Sequence, residues 1–174
     1  MTAEKKPFSQ WFDDWRLKGI KIKAGFADFE WGPQKADEEA AWDMYVELLT
    51  RITTQPLADG HGVERTALQS IHALFPITRE ILKAHGRDCA GFARIAIIIL
   101  NQVVRPFTAK WHGLDEAGAF DDPRRRREFR VELRALQKQL RAYTWGLAEI
   151  ARVEDLDVGA VDAKTVEKVR DGEH

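Results

Sequence analysis

The clearest hydrophobic pattern lies in the second half of the chain. Phe129, Leu133, Leu136, Leu140, Tyr143, Leu147 and Ile150 recur with spacing 4-3-4-3-4-3, which places a narrow apolar seam on one face of a long helix over 123–152. Asp122 followed by Pro123 marks its start, because the carboxylate accepts from a free backbone N–H and proline at the first helical position forfeits no hydrogen bond. Gly146 weakens the last turns, at about 1 kcal/mol relative to alanine.

Upstream, CAGFARIAIIILNQVV predicts a helix capped by Asp88 and running to Arg105, where Pro106 interferes with continuation. Ile95 to Leu100 leave no polar face, so this is the most buried helix; its β-branched isoleucines keep a buried strand as the rival reading. Before it, Leu68, Ile71, Phe75, Thr78 and Leu82 share one stripe, with Gly86 as the C-terminal cap and Pro76 kinking or splitting the helix. Another helix begins near Asp37, whose neighbouring acids suit a positive helix start. Its stripe is Trp42, Tyr45, Val46, Leu49 and Ile52, and Pro56 ends it. Four helices with short connections predict an all-α fold, an antiparallel four-helix bundle over 35–152.

Residues 1–34 read as an aromatic arm. Phe8, Trp11, Phe12 and Trp15 have helical spacing and predict a short amphipathic helix, and IKIKAGFADFEW alternates around a glycine, which suggests a small β-hairpin or an extended arm lying on the bundle. Residues 153–174 form a tail with few large apolar side chains, either a weak helix near 163–170 or disorder.

Composition adds limits. A chain of 174 residues fits one domain with a real core, and 44% hydrophobic with 32% charged residues describes an ordinary soluble protein. Formal net charge is −1, but residues 122–141 carry eight Arg or Lys against three acids, so that segment is +5 and the remainder −6. The single Cys89 rules out an internal disulfide and a multi-thiolate zinc site, and makes a reducing cytoplasm the expected setting. The first twenty residues lack the apolar run of a secretory signal. The greasiest run, Ile95–Leu100, is too short to span a bilayer, which takes roughly 20 apolar residues.

The densest charge, Arg124, Arg125, Arg126 and Arg127, follows a helix start, where the macrodipole is already positive. One reading is a solvated face with Arg124 paired to Glu128. The other is a site where arginines, Arg130 included, meet an anionic ligand or an acidic partner surface. No groove-reading or single-strand motif accompanies them, so nucleic acid is not the expected partner. The five histidines are scattered without metal-ligand spacing, and GxGxxG and GKS or GKT loops are absent; neither a metal nor a cofactor is expected. Cys89 near His85 and Asp88 is the sole nucleophile candidate, and a lone cysteine beside an apolar helix is ordinarily packed.

Aromatic anchors are what partner surfaces use, so Phe8, Trp11, Phe12 and Trp15 are candidate docking residues as well as candidates for packing on their own bundle. RPFTAKWH, Arg105 to His112, bends at Pro106 and offers Trp111 and His112 beside basic groups. The string LNQVVRPFTAKWH resembles a segment of small bacterial helical proteins encoded near antiviral-defence effectors. The resemblance implies an accessory role and assigns no functional residue. Together these features predict a cytoplasmic, non-catalytic interaction module docking a protein partner, with a sensor of a small phosphorylated or other anionic ligand at Arg124–Arg127 as the alternative. A homodimer is permitted by the last helix's seam but not demanded.

Overall fold

The computed structural model describes residues 5–57, 61–154 and 156. It is mostly helical, with a small antiparallel two-stranded sheet near the N-terminus. Strand β1 (Lys6–Pro7) leads into helix α1 (Phe8–Asp14) and pairs with β2 (Glu30–Trp31) in the register Lys6 opposite Trp31 and Pro7 opposite Glu30. Helices α2 (Lys35–Leu49), α3 (Glu64–His72), α4 (Leu74–His85), α5 (Ala90–Ile99), α6 (Arg105–Glu116) and α7 (Pro123–Ala151) follow. α2 packs along α7 and against α4 and α5, and α3 packs against α6.

Helix α7 forms as its pattern dictates. Asp122 accepts from the Arg124 N–H at 2.8 Å, Pro123 occupies the first helical position, and all seven seam residues are buried. The conformation reverses at Arg152, with φ 54°. The glycine in its interior has a packing cause. A Cβ at Gly146 would lie 2.2 Å from the Trp15 ring, so the missing side chain is a notch that receives an indole. Gly91 in α5 does the same for Trp31, whose ring nitrogen would stand 2.0 Å from a Cβ there. These notches seat the aromatic arm on its own chain.

Several expectations need correction. The arm's strand pairing does not involve Ile20 to Ala24, which instead lie on the bundle as the second of the two readings had it: Ile20 and Ile22 pack against the core, and the Gln102 side chain accepts from the Lys21 N–H and donates to its carbonyl, both at 2.7 Å. Pro106 does not end the apolar helix. A wide π turn over Leu100–Val104 precedes it and runs directly into α6, with the proline in that helix's first turn. Asp88 does not cap α5; the buried Asp37 does, accepting from the Phe92 N–H at 2.8 Å while its other oxygen takes the Gln34 N–H at 3.0 Å. The split expected around Pro76 does occur: the stripe divides at Ala73, and the proline falls in the first turn of α4. In α2 the buried face is Ala40, Ala41, Met44, Tyr45 and Leu48, leaving Trp42 40% and Val46 39% exposed. Apolar positions are spread around much of α2 among Lys35, Asp37, Glu38, Glu39, Asp43 and Glu47, so spacing alone left its orientation open. The expected tail helix lies outside the described residues.

The helical run Glu64–Glu116 holds a window of mean hydropathy 1.3, apolar and long enough by composition to cross a membrane, of which 44% is buried in the fold. Its buried residues, Ile95, Ile99 and Val104 among them, join the common core.

Candidate functional site

Helix α7 has two faces of opposite chemistry. The seam points inward. On the opposite side Arg127, Val131, Arg134, Lys138, Arg141 and Trp145 follow with spacing 4-3-4-3-4, a line about 27 Å long at 1.5 Å per residue. Val131 is 58% and Trp145 48% exposed. Arg124, Arg127, Arg134 and Lys138 are exposed and make no side-chain bond to any described residue, whereas Arg141 donates to the Thr54 carbonyl at 2.9 Å.

Glu128 and Glu132 stand off this line, and Glu149, one turn beyond Trp145, accepts from Lys6 and Trp15. Glu128 accepts from Lys110 at 3.2 Å and from Arg125 at 2.7 Å; Glu132 accepts from Lys110 and, at 2.9 Å, from the Trp111 indole. Both carboxylates are thereby turned toward α6. Arg125, with Lys110 behind it, holds the Glu128 carboxyl below the usual range, and the bond to Glu132 raises Lys110. Among the described residues no carboxylate bonds to Arg127, Arg134 or Lys138 on the outer line.

The arginine run divides by role. Arg125 meets Glu128 three residues on, so the expected Arg124–Glu128 pair does not form. Arg126 donates to the Phe120 carbonyl at 3.0 Å, fixing the turn before α7. Arg130 reaches the start of α3, donating to Glu64 at 2.7 Å and to the carbonyls of His61 and Gly62 at 3.2 and 3.4 Å. Arg124 and Arg127 remain for solvent or a partner. A groove of about 510 Å³ runs between Arg126, Arg127, Arg130 and Arg134 above Glu64. A second, of about 660 Å³, lies toward the other end of α7 between Lys138, Trp145, Arg16 and Lys18, with Asp14, paired to Lys6, also on its wall. Arg16, just past the Trp15 cap of α1, adopts φ 56°, a left-handed conformation uncommon for a residue other than glycine.

The predicted aromatic anchors are elsewhere. Phe8, Trp11, Phe12 and Trp15 are each 4% exposed or less, and Trp15 donates to Glu149 at 3.0 Å. Trp111 is fully buried, stacked on Phe120 and edge-on to Phe129. His112 is half-buried, its ring against His72, and its inward nitrogen has no hydrogen-bond partner. Phe8, Trp11, Phe12, Trp15 and Trp111 have their apolar area covered within the fold, while His112 is partly open. Cys89 donates to the Gly86 carbonyl, and burial pushes its thiol up, which disfavours a reactive thiolate. Among the described residues no group of three or more His, Cys, Asp or Glu is placed to hold a metal.

Sequence reasoning missed Val131, Arg134, Lys138 and Trp145 as one surface. The signal was present: they repeat with the spacing of the core seam in the opposite phase. Comparison with protein families, with curated proteins and with solved structures found no match.

Proposed function

We propose that this chain is a non-catalytic interaction module of the cytoplasm, a four-helix bundle with its aromatic arm folded back on it, which docks an acidic protein partner on the outer face of α7. One observation carries the reading: among the described residues no carboxylate bonds to Arg127, Arg134 or Lys138 on that face, while Glu128 and Glu132 of the same helix are engaged by Lys110, Arg125 and Trp111. Cations gathered without counter-charge repel one another, and an opposite surface relieves the repulsion, steers encounter and fixes orientation. Val131 and Trp145 add the apolar contact that affinity needs. The resemblance to helical proteins encoded near antiviral-defence effectors agrees with an accessory role of this kind.

A small anion at the arginine run fits less well, since Arg126 and Arg130 in that groove are already bonded within the chain. The test is affinity capture from the producing cells with the native chain and with a triple Arg127→Glu, Arg134→Glu, Lys138→Glu variant, followed by reconstitution with purified candidates. The expected result is an acidic protein that binds the native chain directly and not the equally folded variant. Direct binding that survives the triple reversal would overturn the reading.

A further inference from the structure

The outer face of α7 is patterned as well as charged. Arg127, Arg134 and Arg141 stand seven residues apart, Val131, Lys138 and Trp145 form a second set seven apart, and Ala135 and Ala142 a third beside them. A seven-residue repeat is the spacing at which one helix reads another, because side chains at that interval stay in register along a shared seam. The two exposed apolar side chains, Val131 and Trp145, are separated by two such repeats, about 21 Å along the helix. The alanines between them let a neighbouring backbone approach.

We infer that the partner element seated on this face is an acidic amphipathic helix of another protein, lying along α7 from Arg127 to Trp145; the inference rests on the docking function proposed above. Its carboxylates recur at seven-residue intervals opposite Arg127 and Arg134, with Lys138 between, and its apolar side chains cover Val131 and Trp145. Arg141 joins through the donors that its bond to Thr54 leaves over.

A second copy of this chain does not supply that helix. Its exposed Trp42 surface is rimmed by acids, but Glu38 is paired with Arg152, Asp43 with His85, Glu47 with Arg51, and Glu39 with Lys35, and the remaining Glu80 is one carboxylate rather than a row at seven-residue intervals. A polyanionic nucleic acid would match the cations without using apolar contacts at a two-repeat interval.

The experiment uses the full chain and four labelled probes: a helical peptide of about 24 residues with leucines and glutamates in the seven-residue pattern, a scramble of the same composition, polyglutamate, and a single-stranded oligonucleotide. Dissociation constants are read by fluorescence anisotropy at about 0.15 M salt, where long-range attraction is screened beyond roughly 8 Å. The patterned peptide is expected to bind at least about tenfold tighter than the scramble, with Trp145→Ala removing most of that preference. Arg134→Glu with Lys138→Glu should abolish binding of both peptides. Equal affinity for patterned peptide, scramble and polyglutamate overturns the helix inference and leaves the acidic-docking function standing. Tightest binding to the oligonucleotide, or no binding of any probe, overturns both.

Discussion

The aromatic arm and the outer face of α7 look alike in the sequence, each a concentrated stripe with no evident place in a core, and the fold treats them oppositely. Phe8, Trp11, Phe12, Trp15 and Trp31 of the arm are buried, with Trp15 in the Gly146 notch and Trp31 in the Gly91 notch, while Phe26 and Phe29 stay exposed beside Arg94. The outer face keeps Trp145, Val131 and its cations in solvent. The difference follows from the forces. Apolar burial is non-directional and is satisfied by whatever surface of the chain lies within reach, whereas an exposed cation needs a carboxylate at one position and gains little from a neighbour that lacks one. Surface left uncovered after the chain has used its own resources is the better candidate for a partner.

Two tryptophans separate the regions most sharply. Trp15→Ala is expected to destabilise by about 3–5 kcal/mol, through the lost ring and the freed Glu149. Trp145→Ala should stay within about 0.5 kcal/mol. Denaturant unfolding of the two variants checks both, and equal effects would erase the distinction between arm and face. Next in size, Gly146→Ala should lower stability by about 1–3 kcal/mol, against the usual sign for glycine to alanine inside a helix, because the new methyl displaces Trp15. A Trp15→Ala, Gly146→Ala double variant should recover part of that loss.

Asp37→Ala leaves the Gln34 and Phe92 N–H groups unpaired where they are covered, and a loss of about 1–3 kcal/mol is expected with the arm still docked. The melting temperature reads the loss, and near-ultraviolet dichroism of the arm's tryptophans reads the docking. Arg134→Glu with Lys138→Glu should leave the melting temperature nearly unchanged, as befits side chains that hold nothing in the fold.

The smallest effect concerns acid. Arg65 holds the Asp115 carboxyl below its ordinary value, tying α3 to α6. A carboxyl depressed in the folded state contributes stability that is present above the unfolded value of about 3.9 and is lost as pH falls through the folded one. Melting temperatures between pH 5 and pH 2 should therefore fall less steeply for Asp115→Asn than for the native chain.

The sequence announced α7 in full, because its cap, its proline and its seven-residue repeat agree. It announced the aromatic helix α1, but not where its rings lie. Residues at helical spacing define a face without stating what it meets, and the notches are glycines that read only as helix weakeners. The arginine run drew attention to the right helix and the wrong length of it. Consecutive residues point around a helix, so Arg125 and Arg126 turn to Glu128 and Phe120 while the free cations continue to Lys138.

Local chemistry, then, was enough to place the helical character, the long amphipathic α7 and the unequal charge, since each depends on residues within a few turns of one another. Only the tertiary structure decided that Asp37 caps α5 from another helix, that Gln102 clasps Lys21, that two glycines receive two indoles, and that Glu128 and Glu132 face α6. Each of those pairs joins residues far apart in the chain, and which of many polar or apolar groups meet is fixed only when the common core closes around them.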